Sequence, residues 1–183
     1  MKDPGVKRMV NGAARRTFPA FLAALLFLSS NAAAEGQADS KVLPLDNVTI
    51  SCYALGGDVA TLKDPVEAVY IFKGDTSGAL SGLKEVLIEG RKEQRAFRIK
   101  DPLCIVVFRG FFPGLSKVFI KKVTLEDCRF DIYAEYWDRP EYSTPSQPAA
   151  IIPVGQLPPG NYAINLFVGN ELRKSAGFKV KGR

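Results

Sequence analysis

The sequence predicts an all-β sandwich of about ten short strands with almost no helix. Three observations predict it. Between residues 47 and 181, apolar and polar residues alternate in short runs, the pattern of half-buried strands. Clusters of Gly, Pro, Asn and Asp separate the runs, and no stretch among them is read as having the apolar spacing of an amphipathic helix. Near the end, the turn Leu157-Pro158-Pro159-Gly160-Asn161-Tyr162 feeds straight into an alternating run over residues 162–168.

Residues 1–34 are expected to lie outside that fold. Lys2, Lys7, Arg8, Arg15 and Arg16 make a basic head against the single acid Asp3, an apolar run over 18–28 follows, and Ala32-Ala33-Ala34 closes the segment. That order is a cleaved signal peptide, and the apolar run is too short to span a bilayer. Export to the periplasm or outside a bacterial cell is the expected localisation. Arg15-Arg16-Thr17-Phe18 matches the core of a twin-arginine signal, but its surroundings favour the general secretory route. The whole chain holds 25 basic and 19 acidic residues; the leader takes five and one, leaving 20 and 18. Much of the positive charge therefore belongs to the leader, and with export it argues against nucleic acid as a partner. Past the leader no apolar run is long enough to cross a membrane. Residues 35–46 read as a flexible arm, and 47–183 as one sandwich domain.

The elements follow in order. Over 47–54, Val48, Ile50, Cys52 and Ala54 share one face, and Gly56-Gly57-Asp58 ends the strand. Residues 66–73 form the next strand, after Pro65. A Gly- and Ser-rich loop is expected over 74–82. Residues 83–89 and 95–100 are expected to pair as a charged edge hairpin around Gly90-Arg91-Lys92-Glu93. Residues 103–108 are apolar on both faces, which marks a central strand covered on both sides. The turn Arg109-Gly110-Phe111-Phe112-Pro113-Gly114 leads to a strand over 117–125 whose phase slips: Val118 and Ile120 share one parity, Val123 and Leu125 the other. A β-bulge near Lys121-Lys122 reconciles them. Residues 128–137 put Cys128, Phe130, Ile132, Ala134 and Tyr136 on one face and Arg129, Asp131, Tyr133, Glu135 and Trp137 on the other. A polar loop over 138–147, a strand over 149–154 and a closing hairpin, 162–168 with 174–180 turning at Gly169-Asn170, complete the chain.

A Tyr shortly after a tight turn, at the start of the next-to-last strand, is the tyrosine-corner arrangement. Leu157, Pro158, Gly160 and Tyr162 resemble the Leu-x-Pro-Gly-x-Tyr corners of fibronectin-type and bacterial immunoglobulin-like domains, over residues 148–181. The resemblance implies an immunoglobulin-like antiparallel sandwich in which the Tyr162 hydroxyl bonds back to nearby backbone. It departs from the antibody pattern at Ile164, which stands where the intersheet Cys would be, so that disulfide does not carry over. Fold kinship of this kind says nothing about activity.

Three cysteines, Cys52, Cys104 and Cys128, in an exported chain predict one disulfide and one thiol left over. Cys104 and Cys128 begin two strongly apolar strands and are the favoured pair, with Cys52 a small buried hydrophobe. A disulfide to a partner chain is the alternative.

No catalytic or cofactor motif emerges. The chain has no histidine, which removes Ser-His-Asp and Cys-His catalysis and His-ligated metals. Phosphate-cradling glycine motifs are missing, and residues 75–81 lack the acids of a calcium loop. No cofactor is expected, and the protein reads as non-enzymatic. Asp131 and Glu135 share a face with Tyr133 and Trp137, which suits either sugar stacking beside acids or a solvated outer sheet face. Tyr133 and Trp137 are candidate binding residues, since both types are enriched where proteins meet. Phe111 and Phe112 either fold back into the core or form an apolar knob. Residues 84–129 carry 11 basic and 6 acidic residues, whereas 130–161 carry 1 and 4, an asymmetry that suits an anionic partner or simply charged strand edges. The expected function is a protein-binding or structural module of the cell envelope, whose partner is another envelope protein. A module binding a glycan or an anionic envelope polymer is one alternative, and a protease inhibitor of immunoglobulin-like fold is another.

Overall fold

The computed structural model describes residues 40–56 and 66–182. The leader expected over 1–34 and the turn at Gly57-Asp58 lie outside the described residues. Among the described residues, ten strands and one helix follow in the order β1 (Lys41–Val42), β2 (Thr49–Ser51), β3 (Ala68–Lys73), α1 (Thr76–Leu87), β4 (Ala96–Arg98), β5 (Leu103–Phe108), β6 (Leu115–Glu126), β7 (Arg129–Arg139), β8 (Ala149–Gly155), β9 (Gly160–Val168) and β10 (Glu171–Lys181). They make two sheets: β1-β6-β7-β9-β10-β4 and β2-β8-β5-β3. The first is mixed, because β7 with β9 and β10 with β4 pair in parallel. Immunoglobulin sandwiches use antiparallel sheets.

Alternation builds the core. Phe130, Ile132 and Ala134 of β7, Ile164 and Leu166 of β9, and Phe178 and Val180 of β10 turn inward from the six-stranded sheet. They meet Val69 and Ile71 of β3, Leu103, Ile105 and Val107 of β5, and Ala150 and Ile152 of β8. On β6 the register shifts between Ile120 and Lys122, so Lys121 is the extra residue of a bulge and both Val118 and Val123 face inward. The phase slip in the sequence has that cause. At the other end, Gly169 and Asn170 both take positive φ, 59° and 68°, and close the β9–β10 hairpin as a two-residue turn.

Three expectations about the chain's middle are corrected. Residues 76–87, read as the end of a loop and the start of a strand, form a helix. Asp75 caps it, accepting from the Gly78 N–H at 2.9 Å. Ala79 and Leu83 are fully buried, with Leu80, Val86 and Leu87 packed around them, a helical spacing of three and four. Serines and two glycines weaken its propensity, so packing sustains it. At Gly82 an added Cβ would lie 2.5 Å from the Phe72 ring, and the missing side chain lets the helix approach β3. Nor do residues 95–100 pair with 83–89; β4 joins β10 instead, with Phe97 buried in the sandwich. Finally, Ile50, expected inward, pairs opposite inward-facing Ala150 but is exposed, because β2 is the edge strand of its sheet.

Helix α1 gives the four-stranded sheet a second apolar layer. Cys104, Val106 and Phe108 of β5, with Phe72, Ala149 and Ile151, face α1, Ala54 and Leu55. Every residue of β5 is buried, as a strand covered on both sides must be. In the segment expected to be a free arm, β1 pairs with β6 and Leu43 and Leu45 pack on the core. No described helix is long and apolar enough to cross a membrane.

Candidate functional site

The expected Cys104–Cys128 disulfide does not form: all three cysteines are free thiols. Cys104 lies on the α1 side of β5, where its thiol donates to the Gly74 carbonyl at 3.4 Å and burial pushes its pKa up to about 11. Cys128 is exposed in the β6–β7 turn, at φ 61°, in the opposite layer. The shared parity of the two strands failed as a guide because β5 has two buried faces. Gly160 sits between the Tyr162 ring and the Cys128 sulfur, where an added Cβ would meet them at 3.3 and 3.4 Å. The Tyr162 hydroxyl donates to the Pro158 carbonyl at 2.9 Å, and its ring stacks on Phe178, 5.1 Å between centroids. That bond ties Tyr162 to the turn before it, and burial pushes this phenol's pKa up.

Tyr133 and Trp137 lie on the outer face of the six-stranded sheet, four residues apart on β7. Tyr133 stacks flat on Phe167 of β9, with centroids 5.0 Å apart. The parallel β7–β9 register sets these two residues side by side. Phe119 of β6 pairs opposite Glu135 and is 39% exposed; Leu172 pairs opposite Phe167 and is 57% exposed. Trp137 is 36% exposed, and its ring is held by two cations, Arg139 at 4.6 Å and Lys117 at 5.5 Å from the centroid. Lys121, raised by the bulge, pairs with Glu135 at 2.8 Å. Between these groups lies a hollow of about 200 Å³, lined by Lys121, Tyr133, Glu135, Phe167 and Asn170. The result is a row of aromatic and aliphatic groups across four strands, edged by lysine and arginine.

The two acids of that face do not oppose each other across a cleft. Asp131 pairs with Arg129 at 3.1 Å and accepts from the Asn165 amide at 2.9 Å, and Glu135 is taken by Lys121. Both point from one strand in one direction, which is not the facing geometry that glycoside hydrolysis needs.

Phe111 and Phe112 part company. Phe111 is 42% exposed. Phe112 is half-buried under the Arg109 guanidinium, 4.5 Å from its ring, and bridges in backbone to Ser146. Arg109 also covers Tyr136 at 4.8 Å and donates to Asp138 at 2.6 Å, and Ser116 donates to the same carboxylate at 2.6 Å. Phe112 therefore belongs to a half-buried cluster with Arg109 and Tyr136, and Phe111 alone remains a knob. Burial, then the nearby Glu67 carboxylate, push the Tyr136 phenol far above its usual range, so it stays neutral there.

Sequence reasoning reached Tyr133 and Trp137 through alternation and missed Phe119, Phe167 and Leu172. Phe119 was hidden by the bulge. Phe167 joins the row through the pairing of β9 with β7, which are not neighbours in the chain, and Leu172 joins it opposite Phe167 in the β9–β10 hairpin. Comparison with protein-family models, with curated proteins and with solved structures finds no match for this chain.

Proposed function

We propose that this chain is an exported, non-catalytic binding domain whose working surface is the outer face of the six-stranded sheet, and that its partner is another protein of the cell envelope. One observation carries the reading. Among the described residues, α1 covers the outer face of one sheet, whereas the outer face of the other carries exposed Phe119, Trp137 and Leu172 around half-buried Tyr133 and Phe167, among cations. Aromatic residues and arginine in a half-exposed cluster are the composition of an interface centre. A protein suits the face better than a glycan, because Arg139 and Lys117 already occupy the vicinity of the Trp137 ring and compete with a stacked sugar. Kinship with immunoglobulin-like sandwiches belongs to the same proposal; it rests on the Tyr162 corner, and the parallel pairings weigh against it.

The test places a photo-crosslinking residue at Phe119 or at Lys84 on the exposed side of α1, in cells that export the protein. The expected result is one defined adduct from position 119, absent at 84 and lost with Tyr133→Ala plus Phe167→Ala. Equal adduct patterns from the two positions overturn the assignment. So does retention of the adduct in the double variant.

A further inference from the structure

Strand β10 is paired on its two sides very unequally. On one side β9 pairs with it from Glu171 to Val180; on the other, β4 pairs only with Lys179, Val180 and Lys181. The Lys179 N–H donates to Arg95 at 2.9 Å, and the Lys181 carbonyl accepts from Ile99 at 3.1 Å. Peptide groups of one parity in a strand point the same way. Those of Ser175 and Gly177 therefore point toward the β4 side, where no strand pairs with them among the described residues. The neighbouring strand fixes the same parity: Ala163, opposite Gly177, sends its own N–H away from β10 to the Cys128 carbonyl at 3.0 Å.

Among the described residues no backbone hydrogen bond reaches this stretch of the edge, and β3 packs nearby, with Glu67 ahead of it paired to Arg173 at 3.6 Å. Ser175 and Gly177 are both exposed, and with Ala176 they have the smallest side chains of the strand. Small side chains leave their backbone the most accessible of the strand to a partner strand. It would continue the line of β4, stopping at the bulge between Leu172 and Lys174. The other long edge is less open: the Ser116 N–H of β6 is taken by the Ser146 hydroxyl, and the strand's far end pairs with β1.

Charge selects the occupant. Lys174 and Lys179 bracket the gap, Arg98 follows on β4, and none of the three has an ion pair among the described residues. A second copy pairing here would bring like charges together, and a lysine with a bulge on an edge is the usual guard against self-pairing. We infer that the edge at Ser175–Gly177 is a strand-addition site for an extended, acidic segment of a partner protein. The site is separate from the aromatic face.

Hydrogen exchange on the full exported domain tests it. The probe is a capped hexapeptide of alternating Glu and Val, with a Lys–Val hexapeptide as control. In the free protein the Ser175 and Gly177 amides exchange fast, whereas those of Ala176 and Phe178, bonded to β9, exchange slowly. The acidic peptide slows Ser175 and Gly177, and the lysine peptide does not. Ser175→Pro removes an N–H that has no hydrogen bond among the described residues, a change edge strands tolerate, and weakens the acidic peptide about tenfold. Four results overturn the inference: protection of both amides in the free protein at all concentrations, protection that rises with protein concentration alone, equal protection by both peptides, or unchanged binding by a folded Ser175→Pro variant. Tyr133→Ala with Phe167→Ala leaves the peptide's effect intact, so failure of the aromatic-face reading is distinguishable from failure here.

Discussion

Removing one oxygen from Tyr162 tests the corner at the scale of a single atom. Its hydroxyl bonds the Pro158 carbonyl, while its ring packs against Phe178 and, at 6.1 Å, Phe130. Tyr162→Phe keeps the packing and loses the bond, so it should cost about 1 kcal/mol in urea unfolding. Tyr162→Ala loses the ring as well and should cost about 3–5 kcal/mol. If Tyr162→Phe unfolds at the wild-type urea midpoint, the hydroxyl has no separate part in holding the corner. The thiols give a second residue-scale expectation. Exposed Cys128 should react first with a thiol reagent, and buried Cys104 only on unfolding. The Cys104 thiol ionises at about 11 in the fold and at its ordinary 9.0 when unfolded. Its neutral form is favoured by the fold, so its contribution to stability is complete below pH 9.0 and is lost as pH rises from there to about 11. Wild type should lose more stability across that window than Cys104→Ala does, and parallel curves for the two would refute it.

Helix α1 is the element on which sequence and structure differ most. Gly82→Ala raises helix propensity, yet its Cβ would strike the buried Phe72 ring at 2.5 Å. The clash should win, lowering stability by about 1–3 kcal/mol, whereas an exposed Gly→Ala in a helix adds up to about 1 kcal/mol. A rise in melting temperature for this variant would mean that Phe72 yields freely. The sheets were legible because period 2 records the pleat residue by residue. Even the Lys121 bulge showed as a change of parity between Ile120 and Val123. The helix was not legible, because Gly78, Ser81 and Gly82 look like loop chemistry and residues 83–89 alternate enough to pass for an edge strand. The signal was present all the same: Asp75 as a cap, then apolar residues at 79, 80, 83, 86 and 87. The candidate face was half legible. Alternation exposes Tyr133 and Trp137, but no local pattern states that β9 lies beside β7, so Phe167 was left out.

At the scale of the molecule, the two apolar layers share the four-stranded sheet, and β5 is the strand buried along its whole length on both faces. From β5, Leu103, Ile105 and Val107 enter the sandwich, while Cys104, Val106 and Phe108 enter the layer under α1. A loss on either side of β5 therefore shifts a backbone that the other side depends on. Leu83→Ala removes a fully buried side chain from α1, far from Trp137, which lies on the outer face of the other sheet. It should cost about 2–5 kcal/mol. If the shared strand couples the layers, helix loss by circular dichroism and the change in Trp137 fluorescence should shift together to the same lower urea midpoint, with an unchanged slope. If instead the helical signal moves and Trp137 keeps the wild-type midpoint, α1 is a separable layer laid on a sandwich that folds without it. The same comparison in Ile105→Ala, made from the opposite face of β5, should give coincident transitions. A split there as well would show that burial on both faces of β5 does not make one cooperative unit.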